Sequence, residues 1–116
     1  MAKFLIKAVY KTKGVKGLMK EGGTGRRAAV KQLVEALGGK IESFYYAYGE
    51  ADAYVTCDLP DAASGIALSL AVNASGAVHI STIPLITPEE IDAAAKKTVA
   101  YRAPGEEAAA KGKSKK

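Results

Sequence analysis

Along residues 3–10 the chain alternates with period two: Phe4, Ile6, Ala8 and Tyr10 fall on one side, with Lys3 and Lys7 on the other. That spacing predicts a half-buried strand. From Arg26 to Leu37 the apolar residues Val30, Leu33, Val34 and Leu37 recur at helical spacing, and Gly38-Gly39 supplies a left-handed stop, which predicts a first helix. The intervening Lys11–Gly25 holds five glycines and reads as a structured loop, with Val15, Leu18 and Met19 enough for one short helical turn. Ile41–Tyr48 and Ala53–Leu59 are β-prone and flank the turn-like Gly49-Glu50-Ala51-Asp52, which predicts an antiparallel hairpin. Asp61 is an N-cap for a second helix, in which Ala63, Ile66, Ala67, Leu70, Ala71 and Ala74 trace a continuous stripe of small residues suited to close packing on a sheet or helix. Val78–Ile86 is a fourth strand. Thr87-Pro88-Glu89-Glu90 then forms a capping box for a short third helix reaching about Lys97.

The order strand, helix, strand, strand, helix, strand, with an added helix, predicts an α+β fold of the ferredoxin-like βαββαβ type: a four-stranded antiparallel sheet with helices on one face. Alternation assigns the faces of the hairpin. The odd positions Ile41, Ala47, Ala53, Val55, Cys57 and Leu59 suit the helices, and the even positions Glu42, Phe44, Tyr46, Tyr48, Asp52, Tyr54 and Thr56 occupy the open face. An open face with four aromatic rings reads as an interface or a binding groove, and a homodimer closing face to face is the economical arrangement.

At 116 residues the chain is long enough for one core without disulfides or a structural metal. The formal charge is +5, and residues 96–116 alone carry seven Lys or Arg against two Glu, so residues 1–95 are neutral. The expected organisation is one domain over residues 1–103 and a basic, disordered tail over residues 104–116. Such a tail supports at most weak, salt-dependent attraction to nucleic acid. Within the neutral part, residues 1–40 hold ten Lys or Arg and two acids, while residues 41–95 hold eight acids and no Lys or Arg. These opposite fields favour pairing within or between copies of the chain over a basic nucleic-acid face. The weakly polar run 65–78 is too short to span a bilayer, and the N-terminus lacks the features of a signal peptide, so a cytoplasmic location without membrane contact is expected.

The stretch Phe44-Tyr45-Tyr46-Ala47-Tyr48-Gly49-Glu50-Ala51-Asp52, the segment Ala67–Gly76 and Leu85-Ile86-Thr87-Pro88-Glu89-Glu90 resemble the GYD domain proteins, a family of small bacterial proteins. The resemblance covers roughly residues 3–103. It implies a dimeric α/β barrel built from ferredoxin-like subunits and brings no established activity with it. The family signature stands here as Gly49 and Asp52, with Ala51 in the place where the resemblance calls for Tyr.

Few residues offer chemistry. His79 is the single histidine, so one chain cannot build a histidine metal cluster, and neither a metal nor a cofactor is expected. If Val78 and Ile80 face the helices, His79 shares the open face with Tyr46, Asp52 and Tyr54. There it acts either as an interface hydrogen-bonder or as a proton carrier beside a carboxylate. Thr24, Arg26 and Arg27 open the first helix, where two arginines oppose the helix dipole; a bound anion or acids of the 41–95 segment resolve that conflict. Cys57 is expected in the core as an inert thiol, and Ser69 and Asn73 on the surface or at a subunit contact. Taken together, the sequence reads as a homo-oligomeric binding or interaction module for a small anionic or aromatic ligand. The alternative is a cofactor-free enzyme, monooxygenase- or isomerase-like, acting on a small aromatic or enolisable substrate with His79, Tyr54 and Asp52 around the cavity.

Overall fold

In the computed structural model the described residues are 1–106, so the expected basic tail lies outside them from residue 107 onward. One unit, Met1–Leu85, contains β1 (Ala2–Tyr10), α1 (Thr12–Glu21), α2 (Gly23–Ala36), β2 (Lys40–Tyr46), β3 (Ala53–Leu59), α3 (Ala62–Ala74) and β4 (Val78–Leu85). A second unit begins at Ile86 and contains α4 (Pro88–Ala95), which starts on the expected capping box between Thr87 and Glu90. Among the described residues no helix is long and apolar enough to cross a membrane.

The sheet order is β2-β3-β1-β4 and every pairing is antiparallel, which is the ferredoxin-like topology. Its core follows from alternation. Phe4, Ile6 and Ala8 of β1, Ala53, Val55, Cys57 and Leu59 of β3, and Ile80 of β4 point to one face, where Val34 of α2 and Leu68 of α3 cover them. Removing a large side chain of this kind from water stabilises the fold by about 1.5–3 kcal/mol. Lys3 joins the opposite fields of the chain within one subunit, donating to Glu42 at 2.8 Å and to Asp58 at 3.0 Å. Those two hydrogen bonds, Glu42 first, raise the Lys3 pKa.

Three expectations are corrected. The first concerns β2, where a register shift between Ile41 and Ser43 inserts an extra residue opposite β3. A bulge of one residue reverses side-chain parity beyond it. Phe44 and Tyr46 therefore pair with Val55 and Ala53 and face the helices, while Ser43 and Tyr45 pair with Thr56 and Tyr54 on the open face. The second concerns the glycine-rich stretch, most of which is α1 and the first turn of α2. Gly14 lets α1 pack on the start of β4, because a Cβ there would collide with the carbonyl of Ala77, and the Lys11 N–H donates to that same carbonyl at 2.9 Å. Gly22, at φ +84°, then turns the chain from α1 into α2.

The third correction concerns α3. Ala63, Ile66, Ala67, Leu70, Ala71 and Ala74 face outward, and Gly65, Leu68 and Val72 face the sheet. The helix has apolar residues on every side, so periodicity does not choose a face, and polar contacts make the choice instead. Asn73, expected on the surface or at a subunit contact, is half-buried within the chain: its amide accepts from the Ile80 N–H at 2.7 Å and donates to the Ile80 carbonyl at 3.3 Å. Gly65 sets the ring of Phe4 against the helix backbone.

Asp52 closes the β2–β3 connection. Its N–H donates to the Ala8 carbonyl at 2.8 Å and its carbonyl accepts from Ala47 N–H at 2.9 Å, while its carboxylate accepts from the Tyr10 N–H at 2.8 Å. The side chain thus replaces the carbonyl that a continuing strand would have offered to Tyr10. Asp52→Ala leaves that N–H unmatched and lowers stability by about 1–3 kcal/mol, whereas Asp52→Asn keeps an acceptor and loses less. Urea unfolding checks this; equal losses in both variants, or none in either, contradict the assignment.

Candidate functional site

Between the helix-facing side of the sheet and α2 and α3 lies a cavity of about 270 Å³. Ile6, Ala8, Phe44, Ala53, Val55 and Ile80 form its sheet wall, and Ala29, Val30, Leu33, Leu68 and Val72 its helix wall. The polar exceptions are Tyr10 and Arg26. Two further pockets adjoin, one of about 370 Å³ beneath α1 and one of about 610 Å³ beside Tyr46, Tyr48 and Asp52. Tyr10 borders all three and Arg26 borders the first two, so this pair stands where the pockets meet.

Each of these side chains is placed by a local cause. Tyr10 ends the inward alternation of β1, and its N–H is held by Asp52. The β2 bulge turns Phe44 and Tyr46 inward, where their rings meet edge to face with centroids 5.3 Å apart. Gly23 has no side chain to displace the Tyr46 ring, and the Tyr46 hydroxyl donates to the Gly23 carbonyl at 3.1 Å. Burial, then the neighbouring Tyr10 hydroxyl, push the Tyr46 phenol above its ordinary pKa, while Arg26 and Arg27 pull the other way. Tyr46 is therefore a proton-bearing donor through the physiological range. Arg26, one turn into α2, is half-buried against the cavity, and its nearest carboxylate is Glu21 at 3.6 Å. Such a site can shelter an apolar body and direct hydrogen bonds and one positive charge at a polar group on its end.

The residues named from sequence separate into three places. Tyr54 and His79 lie on the open face, where Tyr54 stands between Tyr45 and Lys7 and His79 stands opposite Val9. Tyr46 is on the helix side with Arg26. Asp52 lies beside Tyr46 but has its carboxylate engaged by the Tyr10 backbone. Thr24 and Arg27 are exposed on the first turns of α2, which has no side-chain cap and no acid in its first turn. Cys57 is fully buried, and burial pushes its thiol pKa up, which keeps it a poor nucleophile. Sequence reasoning overlooked Tyr10 as a site residue, although its signal was present: a phenol ending an otherwise apolar inward face.

The topology and layering define a small ferredoxin-like α+β domain with an apolar cavity between sheet and helices. The family model of the GYD domain matches residues 4–95, and the chain belongs to that family. Neither a curated protein nor a solved structure matches it. Of the signature positions, Asp52 ties β1 to the hairpin and Ala51 is buried, with 1% of its surface exposed.

Proposed function

We propose that this GYD-domain protein binds a small molecule whose apolar body sits between the sheet and the helices. The observation that carries this reading is the cavity of about 270 Å³, walled by aliphatic and aromatic side chains from four strands and two helices. An apolar cavity of roughly 150 Å³ holds benzene, so this one has room for a substituted ring or a chain of similar bulk. Tyr10 is the hydroxyl group on the cavity for orienting such a molecule or relaying a proton, with Tyr46 beside it on the adjoining pocket, and these two give the alternative reading of a cofactor-free enzyme its nearest candidate residues.

The open sheet face supports self-association as the second part of the reading. Val9, Tyr45, Ile83 and Leu85 are each 37–71% exposed on it. Both edges of the sheet are poor templates for strand addition, which directs association to the face. On β4 the outward backbone groups of Ile80 are taken by Asn73, and Pro84 has no N–H to give. On β2 the bulge interrupts the ladder.

Toluene, a probe without charge, is expected to raise the melting temperature of the full chain, and Ala29→Phe, which places a ring in the cavity, is expected to abolish that rise. A wild-type protein indifferent to toluene, or a variant that responds as the wild type does, contradicts the cavity reading. Sedimentation equilibrium is expected to give a dimer that Val9→Glu with Ile83→Glu converts to a folded monomer. A wild-type monomer, or a dimer unaffected by both changes, contradicts face-to-face association.

A further inference from the structure

We infer that the ligand of this cavity is a small monocarboxylate, a single ring or short branched chain bearing one carboxylate that docks on Arg26 and Tyr10. The inference rests on the cavity reading above and adds the chemistry of the ligand's polar end. A ligand that is apolar throughout leaves most of the hydrogen-bonding capacity of the guanidinium in this wall unused, since Glu21 is its single ion-pair partner among the described residues.

Arg26 is half-buried there with spare capacity. The Glu21 carboxylate stands 3.6 Å from its Nη1, beyond the 2.7–2.9 Å of a charge-assisted hydrogen bond. Among the described residues no hydrogen bond is donated by its side chain, so a planar fork of five N–H donors faces the junction of two pockets. Tyr10 borders the same junction, and its hydroxyl is a second donor at the same end.

The charge around the junction limits the ligand to a monoanion. Glu21 and Asp52 line the two adjoining pockets that Tyr10 also borders. Lys13 lines the α1 pocket with Glu21, which leaves Arg26 as the one cation on the apolar cavity, too little to balance the second negative charge of a phosphate or dicarboxylate seated there. A monocarboxylate meets Arg26 two oxygens to one fork and leaves its apolar remainder for Ile6, Phe44, Val55 and Leu68.

Isothermal titration of the full chain with phenylacetate and with its neutral isostere phenylacetamide tests the inference. Phenylacetate is expected to bind on the order of ten- to a hundredfold more tightly, the effect of one charge-assisted pair. Arg26→Gln is expected to erase that preference while keeping phenylacetamide binding. Lys31→Gln, the same loss of charge on the exposed side of α2, is expected to keep the preference, and Tyr10→Phe to reduce it several-fold. Equal binding of the two probes by the wild type, or a preference that survives Arg26→Gln, overturns the monocarboxylate inference and leaves the cavity reading standing. If neither probe binds, the cavity reading itself fails. The wild-type comparison decides the matter even if Arg26→Gln does not fold.

Discussion

Which side chains reach the cavity depends on one inserted residue. A strand offers alternate positions to its two faces, so the extra residue between Ile41 and Ser43 exchanges the faces of everything after it in β2. Without the bulge, Phe44 and Tyr46 lie on the open face and the cavity loses its aromatic wall. With it, Tyr46 comes to rest on Gly23 at the start of α2, close to Tyr10 and Arg26. The same insertion leaves Glu42 free to meet Lys3 across β3, so the irregularity is held by an ion pair at one end and by aromatic packing at the other.

The helix layer complements this arrangement through small residues. Gly14 and Gly65 bring α1 and α3 against the sheet, and Gly23 admits the Tyr46 ring. Close approach at those points leaves the width of the cavity to Ala29, Val30 and Leu33 on α2 and to Leu68 and Val72 on α3. The tight contacts surround the cavity, with Val34, Cys57 and Leu59 fully buried beside it. The open face of the sheet has another character: Lys3 and Lys7 share it with apolar residues and bond to Glu42, Asp58 and Glu50. Opposite charges written into the two halves of the sequence are in this way joined across strands of one subunit.

Much of the fold is legible in the sequence wherever a local signal has a local consequence. The capping box at Thr87, the Asp61 cap, the stop at Gly38 and the alternation of β1 and β3 each act within a few residues and stand where the pattern puts them. The faces of β2 and α3 were not legible. A bulge leaves no mark in a stretch where both parities carry aromatic residues, as Phe44-Tyr45-Tyr46 does, and a helix apolar all round has no preferred side until Asn73 finds Ile80. Gly14 of α1 reads as part of a loop because its role is contact with Ala77, some sixty residues away in the chain. The candidate residues therefore read as sharing one face, whereas Tyr46 lies on the helix side and Tyr54 and His79 lie on the open side. Arg26 was recognised as a cation in need of a partner, but the cavity it lines arises only from tertiary packing.

The proposed binding of a small molecule belongs to the helix side of the sheet and not to its open side. Methyl-resolved NMR of the full chain during titration with phenylacetate addresses it most directly, since apolar side chains line both faces. Shifts are expected for Ile6, Val30, Leu33, Val55, Leu68 and Ile80, which surround the cavity, with Leu5, Val9, Ile83 and Leu85 unmoved. Shifts confined to the second group would place the site on the open face and overturn the helix-side assignment.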